Sequence, residues 1–131
     1  MSLLQLRYRR AWAGSIWLLV LVIAAGSLVP EMGPASVAGS DKIGHVVAYF
    51  TLAVLGSAVV TTTKLPWVMA RVMFLGLAME AAQGLLTDTR MADWSDVLAN
   101  ATGVFAAWWL VRRRAGWAMA VEAWLAGLRR H

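Results

Sequence analysis

Four apolar runs follow one another along the chain, and short polar segments separate them. We predict helices over residues 11–29, 46–63, 67–86 and 95–111, because about 20 apolar residues at 1.5 Å per residue cross the hydrocarbon layer of a bilayer. The fourth run is short, and Asp93 or Ser95 would cap the start of its helix. The pattern therefore predicts an all-α fold, an integral membrane four-helix bundle over residues 1–114.

Two segments fall outside these runs. Residues 30–44 have the glycine- and proline-rich composition of a loop. Residues 115–131 predict a short amphipathic tail, either lying in the membrane surface or packed on the bundle. Its apolar stripe comprises Trp117, Val121, Trp124, Leu125 and Leu128.

The composition supports a membrane protein. Hydrophobic residues make up 60% of the 131 residues and charged residues 15%, and a soluble domain of this size buries too little surface to hide so many. The net charge of +5 would favour nucleic acid in a soluble protein. Here the basic residues flank the apolar runs, so we expect no nucleic-acid partner. The absence of cysteine excludes disulfides and thiolate metal sites.

The basic residues also predict an orientation. With the N-terminus inside, the outer side keeps only Lys42 and Arg90, and the other lysines and arginines lie on the cytoplasmic side. Both termini are then cytoplasmic. A cleavable signal peptide is the alternative for the first run. We disfavour it because the apolar run is long and the small residues 36–38 lie well beyond its end.

Polar residues recur at helical spacing at the predicted outer ends of helices two, three and four. Side chains three or four residues apart share one helix face. An ionisable group inside a membrane costs about 2.5–3.5 kcal/mol, so it marks a functional site by default. The set comprises Asp41, His45 and Tyr49, then Glu80 and Gln83, then Asp93, Asp96, Asn100 and Gly103.

These residues form motifs that resemble those of the VanZ-like family. Residues 41–50 resemble its D-K-x-x-H-x-x-x-Y motif, and Glu80-x-x-Gln83 resembles the second. Arg90 with residues 96–103 resembles the third, R-x(5)-D-x-x-A-N-x-x-G. The resemblance covers residues 11–112 and implies a multi-pass protein of the bacterial plasma (inner) membrane. It also implies a link to the cell envelope, because the name-giving members are associated with teicoplanin resistance. It implies no particular reaction.

We expect the polar residues to form one outer site that binds or modifies a lipid head group or a lipid-linked cell-envelope precursor. The excess of acids there suits an amine, a cation, or a phosphate bridged by a divalent metal. The expected ligand-binding residues are Asp41, Lys42, Tyr49, Gln83, Arg90 and Asn100.

Three other functions remain open. The chain could be a membrane-embedded hydrolase or transferase in which His45, Glu80 and Asp96 are catalytic. We assign no metal or other cofactor, although the same three residues could hold an ion. It could be a proton-linked transporter, for which four helices require a homodimer. Finally, the polar residues could serve only to hold the helices together.

Overall fold

A computed structural model describes residues 6–28, 40–86 and 93–128 of the chain. Within these ranges the backbone forms five α-helices and one 3-10 turn, which confirms the all-α prediction. The helices are α1 (Arg9–Leu28), α2 (Ser40–Ala58), α3 (Leu65–Leu86), α4 (Trp94–Arg113) and α5 (Trp117–Leu128), and the 3-10 turn spans Thr62–Lys64.

The bounds of α2 differ most from those predicted. The helix begins at Ser40 rather than residue 46, so residues 40–44 are helical and not part of a loop. Asp41 lies in its first turn, where a negative charge interacts favourably with the helix dipole. The helix ends at Ala58, and the following residues 59–63 are all valine or threonine. Such β-branched side chains lose rotamer freedom in a helix and favour its end.

Helices α1 to α4 pack against one another, and the most extensive contact is between α2 and α4. The core includes Leu52 and Ala53 of α2 with Val104 and Ala107 of α4. Gly103 permits this contact, because a Cβ atom there would lie 2.4 Å from the backbone oxygen of Val46. It follows that the two backbones approach more closely than any side chain at this position allows.

Many large apolar side chains point away from the core. They include Trp17 and Leu21 of α1, Phe74 of α3 and Phe105 of α4, each more than 60% exposed. Two segments, Arg9–Leu28 and Thr62–Leu86, are long and apolar enough to cross a membrane. Helices α2 and α4 do not meet that criterion, because they carry most of the polar residues described below. Membrane integration and a four-helix bundle therefore remain predictions.

Helix α5 packs against the start of α1 through Glu122. The buried carboxylate of Glu122 accepts hydrogen bonds from the backbone N–H groups of Arg7 and Tyr8, at 2.8 and 3.0 Å, and from the Trp12 indole at 2.9 Å. The Trp117 indole contacts the Trp12 ring edge-on and donates to Ser57 Oγ. Gly116 turns the chain between α4 and α5 with φ of 77°, a conformation that favours glycine.

The predicted tail forms helix α5, which is partly packed and partly exposed. Helix α5 is packed on the other helices through Ala118 and Glu122, which are buried. Its predicted apolar stripe is only partly used in this contact, since Trp124, Leu125 and Leu128 stay exposed.

Gly103→Ala should destabilise the protein by about 1–3 kcal/mol, because the new methyl group forces α2 and α4 apart. Thermal unfolding of the detergent-solubilised protein measures this. Gly14→Ala is the matched control, since a Cβ atom at Gly14 meets nothing within 4 Å. The control should be neutral or more stable by up to about 1 kcal/mol. Equal stabilities for the two variants would contradict the close approach.

The contact between α5 and the start of α1 should be lost in acid. Burial raises the pKa of Glu122, but the hydrogen bonds from Tyr8, Arg7 and Trp12 outweigh it and leave the pKa below its usual value. Because the folded-state pKa is lowered, the carboxylate stabilises the contact above the ordinary glutamate range and ceases to do so as the pH falls through the folded-state value.

The Trp12 indole N–H resonance reports this titration. We expect it to shift with the protonation of Glu122 in the wild type and to be independent of pH in Glu122→Gln. A titrating signal that persists in the variant would disprove the assignment.

Candidate functional site

The first turns of α2 and α4 and the last turns of α3 bring polar side chains together at one end of the packed helices. We call this group the polar cluster. It comprises Asp41, Lys42 and His45 of α2, Glu80 of α3, and Asp93, Ser95, Asp96 and Asn100 at and after the start of α4.

Lys42 is the cationic centre of the cluster's exposed part. Its ammonium group lies 3.3 Å from a carboxylate oxygen of Asp93 and 3.3 Å from one of Asp96, and it also donates to the hydroxyl of Ser95. These contacts join the start of α2 to the start of α4.

Asp93 caps α4, one of the two caps predicted. Its side chain accepts from the backbone N–H of Ser95 at 2.8 Å and from the Ser95 hydroxyl. These two hydrogen bonds, with a smaller contribution from Lys42, lower the pKa of Asp93 to about 2. The cap therefore stays ionised at neutral pH.

His45 lies deeper and faces three polar groups. Its Nδ1 atom lies 3.0 Å from Asn100 Oδ1. Its Nε2 atom lies 3.8 Å from Asp41 Oδ1 and 3.7 Å from Asp96 Oδ2. An amide oxygen can only accept a hydrogen bond, so Nδ1 carries the proton, and in the neutral ring the lone pair of Nε2 is directed towards the two carboxylates.

The deepest members are Glu80 and Asn100, which are 5% and 1% exposed. One oxygen of Glu80 accepts from the backbone N–H of Asp93 at 3.3 Å. Its other oxygen and the amide nitrogen of Asn100 are buried without a hydrogen-bond partner among the described residues. A buried polar group without a partner costs about 1–3 kcal/mol, so these two atoms require an explanation.

Exposure falls steadily from the mouth of the cluster inwards. The side chains of Asp93, Lys42 and Asp41 are about half exposed, whereas those of His45 and Asp96 are 12% and 11% exposed. Glu80 and Asn100 are the most buried. The cluster therefore has an exposed part, with Asp93, Lys42 and Asp41, and a buried part, with Glu80 and Asn100.

Two further predicted residues lie beside the cluster. Tyr49 is buried in the core, its ring parallel to that of His45 with centroids 6.4 Å apart. Gln83 donates to the backbone oxygen of Ser27 at 2.9 Å and so links α3 to the end of α1. Arg90, the remaining predicted residue, lies outside the described residues.

Glu80 has one hydrogen-bond partner among the described residues. Its carboxylate accepts from the Asp93 backbone and not from His45 or Lys42. Glu80 is still near enough to Asp96 and His45 for electrostatic interaction. The sequence reasoning missed Ser95 as a member of the cluster and treated it only as a candidate cap. Its position next to Asp96 was the available signal.

Comparison with family models, curated proteins and solved structures found no match to this chain. The resemblance to the VanZ-like family therefore depends on the three motifs alone.

The stability contributed by Asp93 should depend on pH in a defined window. Because its folded-state pKa is lowered from 3.8 to about 2, this contribution is present above about pH 4 and disappears as the pH falls towards 2. The difference in melting temperature between the wild type and Asp93→Asn should therefore be largest at neutral pH and shrink below pH 4.

Ser95→Ala tests the cause of the lowered pKa of Asp93, because it removes the side-chain hydrogen bond that contributes most to the lowering. In that variant the carboxyl resonance of Asp93 should titrate at a pH closer to 3.8. A midpoint unchanged from the wild type would refute the hydrogen bond from the Ser95 hydroxyl to Asp93.

Proposed function

We propose that this chain is a small multi-pass membrane protein of the VanZ-like type whose polar cluster binds the head group of a membrane lipid or of a lipid-linked cell-envelope precursor. The supporting observation is that the cluster is open at one end while two buried polar atoms at its base lack partners. A head group entering the open end would be surrounded by charged and hydrogen-bonding side chains.

The exposed apolar surface supports the membrane setting. The large exposed side chains lie on several helices, and monomeric soluble proteins rarely expose extensive apolar surface. In the hydrocarbon layer of a membrane such a surface contacts lipid tails and needs no protein partner. The polar cluster would then lie near a membrane face, where lipid head groups are found, with both chain termini on the opposite, cytoplasmic side.

The charge of the cluster constrains the ligand. Four carboxylates, those of Asp41, Glu80, Asp93 and Asp96, face one cation, Lys42, among the described members. An amine-bearing head group complements this excess directly. A phosphate requires an additional cation beside it.

The alternative in which the cluster only holds helices together explains part of the geometry. The hydrogen bonds between His45 and Asn100 and between Gln83 and Ser27 do join different helices. It does not explain why the base of the cluster contains an acceptor on Glu80 and a donor on Asn100 that satisfy neither each other nor a neighbour. Polar side chains that serve only helix association are expected to have hydrogen-bond partners for their buried polar atoms.

Native mass spectrometry of gently extracted protein tests the proposal. The wild type should remain in the membrane pellet after an alkaline wash and should carry a bound lipid, which Glu80→Gln should lose or hold at least about tenfold more weakly, a loss of about 1.4 kcal/mol. Glu122→Gln is the matched control, because it removes a buried carboxylate from α5, outside the cluster, and it should keep the lipid.

The melting temperatures of all three proteins separate the alternatives. Loss of lipid in a Glu80→Gln variant that melts like the wild type supports a head-group site. If the wild type carries no lipid, or if Glu80→Gln only melts earlier while binding as the wild type does, the cluster is a structural link between helices and the proposal fails.

A further inference from the structure

We infer that Asp41, His45 and Asp96 form a binding site for a divalent transition-metal ion such as Zn²⁺. This inference deepens the proposed function and rests on it, because the ion would be a resident part of the head-group site. The three residues come from the first turns of α2 and from the start of α4, which the close packing at Gly103 brings together.

The separations between His45 and the two carboxylates suit a metal ion. One ligand atom from each of Asp41, His45 and Asp96 lies within 4.8 Å of the other two. Zinc binds imidazole nitrogen and carboxylate oxygen at about 2.0–2.2 Å, so two ligands of one ion lie at most about 4.4 Å apart. The two distances from Nε2, 3.8 and 3.7 Å, are within that limit.

The imidazole is oriented as metal ligands usually are. A histidine ligand normally donates its second ring N–H to a carbonyl or carboxylate, which sets the tautomer and the ring plane. Here Nδ1 of His45 donates to Asn100 Oδ1 at 3.0 Å. Asn100 is in turn buried against Gly76, where a Cβ atom would lie 3.1 Å from its amide nitrogen. The Nε2 lone pair is therefore held facing both carboxylates.

A doubly protonated His45 acting as the cation between the two acids explains the geometry less well. An N–H···O hydrogen bond spans about 2.7–3.2 Å, and both Nε2–oxygen distances exceed this. The ring thus donates to neither carboxylate, although it lies between them. Nε2 of His45 lies at a distance from each of the two carboxylates that a metal ion would bridge.

Glu80 provides a second observation of unsatisfied polar atoms in the same cluster. It is 5% exposed, lies within electrostatic reach of Asp96 and His45, and has one oxygen without a partner among the described residues. Lys42 contacts the Asp96 oxygen that does not face His45, so it leaves the other oxygen available as a ligand. A divalent ion would offset part of the negative charge of Asp41 and Asp96, and on Asp96 it would use the oxygen that Lys42 does not contact.

The chemistry of the ligands indicates the class of ion. Imidazole suits zinc, copper, iron and nickel, whereas all-oxygen sites suit magnesium and calcium. One imidazole with two carboxylates leaves open positions for water or for a ligand oxygen. The site therefore has the composition of an accessible centre rather than of a closed structural one.

Isothermal titration of chelator-treated, detergent-solubilised protein with Zn²⁺ alone tests the inference, with an affinity tag that contains no histidine. We expect the wild type to bind one Zn²⁺ per chain. Asn100→Ala should weaken binding by about 10–100-fold, as is typical when the partner of a ligating histidine is removed. His45→Ala and Asp96→Asn remove ligands and should weaken it by more than about 100-fold.

Glu122→Gln is again the matched control and should bind Zn²⁺ as the wild type does. The inference is overturned if the wild type binds no Zn²⁺ or if His45→Ala binds it equally well. Should the ligand variants fail to fold, the imidazole ¹⁵N resonances of the wild type decide: Zn²⁺ must shift Nε2 of His45, and an unchanged resonance overturns the site.

The metal and lipid results can fail separately. Lipid retained by a chain that binds no Zn²⁺ refutes the metal site and leaves the proposed function standing. Zn²⁺ bound by a chain that carries no lipid supports the metal site and refutes the proposed function.

Discussion

The close approach of α2 and α4 is the constraint on which the rest of the structure depends. It is possible because Gly103 presents no side chain to the backbone of α2 at Val46 and Phe50. Where two helix backbones meet without intervening side chains, the residues on the adjoining turns of both helices also come close together. In this way His45 and Asn100, from different helices, come within 3.0 Å of each other.

The charges of the polar cluster are balanced only at its mouth. Lys42 neutralises part of Asp93 and Asp96, which are the members nearest to it. Towards the base, Glu80 relies on a single backbone N–H. Burial of an ionised carboxylate is costly unless it is paired or well hydrogen-bonded. The structure therefore buries an incompletely hydrogen-bonded carboxyl group at the base of the cluster, which is the reverse of what stability alone would favour.

Much of this arrangement could be predicted from residue spacing. The i, i+4 pattern of Asp41 and His45, and of Asp96 and Asn100, puts each pair on one helix face. Once the apolar runs were recognised as helices, the acids and amides had to lie on facing turns. The position before an apolar helix indicated a cap at Asp93 or Ser95, and the structure has it at Asp93.

Other features depend on tertiary contacts that no local pattern reveals. The hydrogen bonding of Glu122 is one of them, because its three hydrogen-bond donors come from residues 7–12, more than a hundred positions away. The pairing of Lys42 with Ser95 likewise required knowledge of how α2 and α4 pack.

Helix α1 is held by polar contacts near its two ends and by apolar contacts along its middle. Glu122 accepts hydrogen bonds from the backbone just before its start, and Gln83 donates to the Ser27 carbonyl near its end. Between them, Ile23 joins the buried core, and Ile16, Leu19 and Val20 pack against it. In the proposed membrane setting, apolar contact between helices is scarcely better than contact with lipid tails. The two polar contacts would then fix the rotation and depth of α1 more sharply than its apolar contacts do.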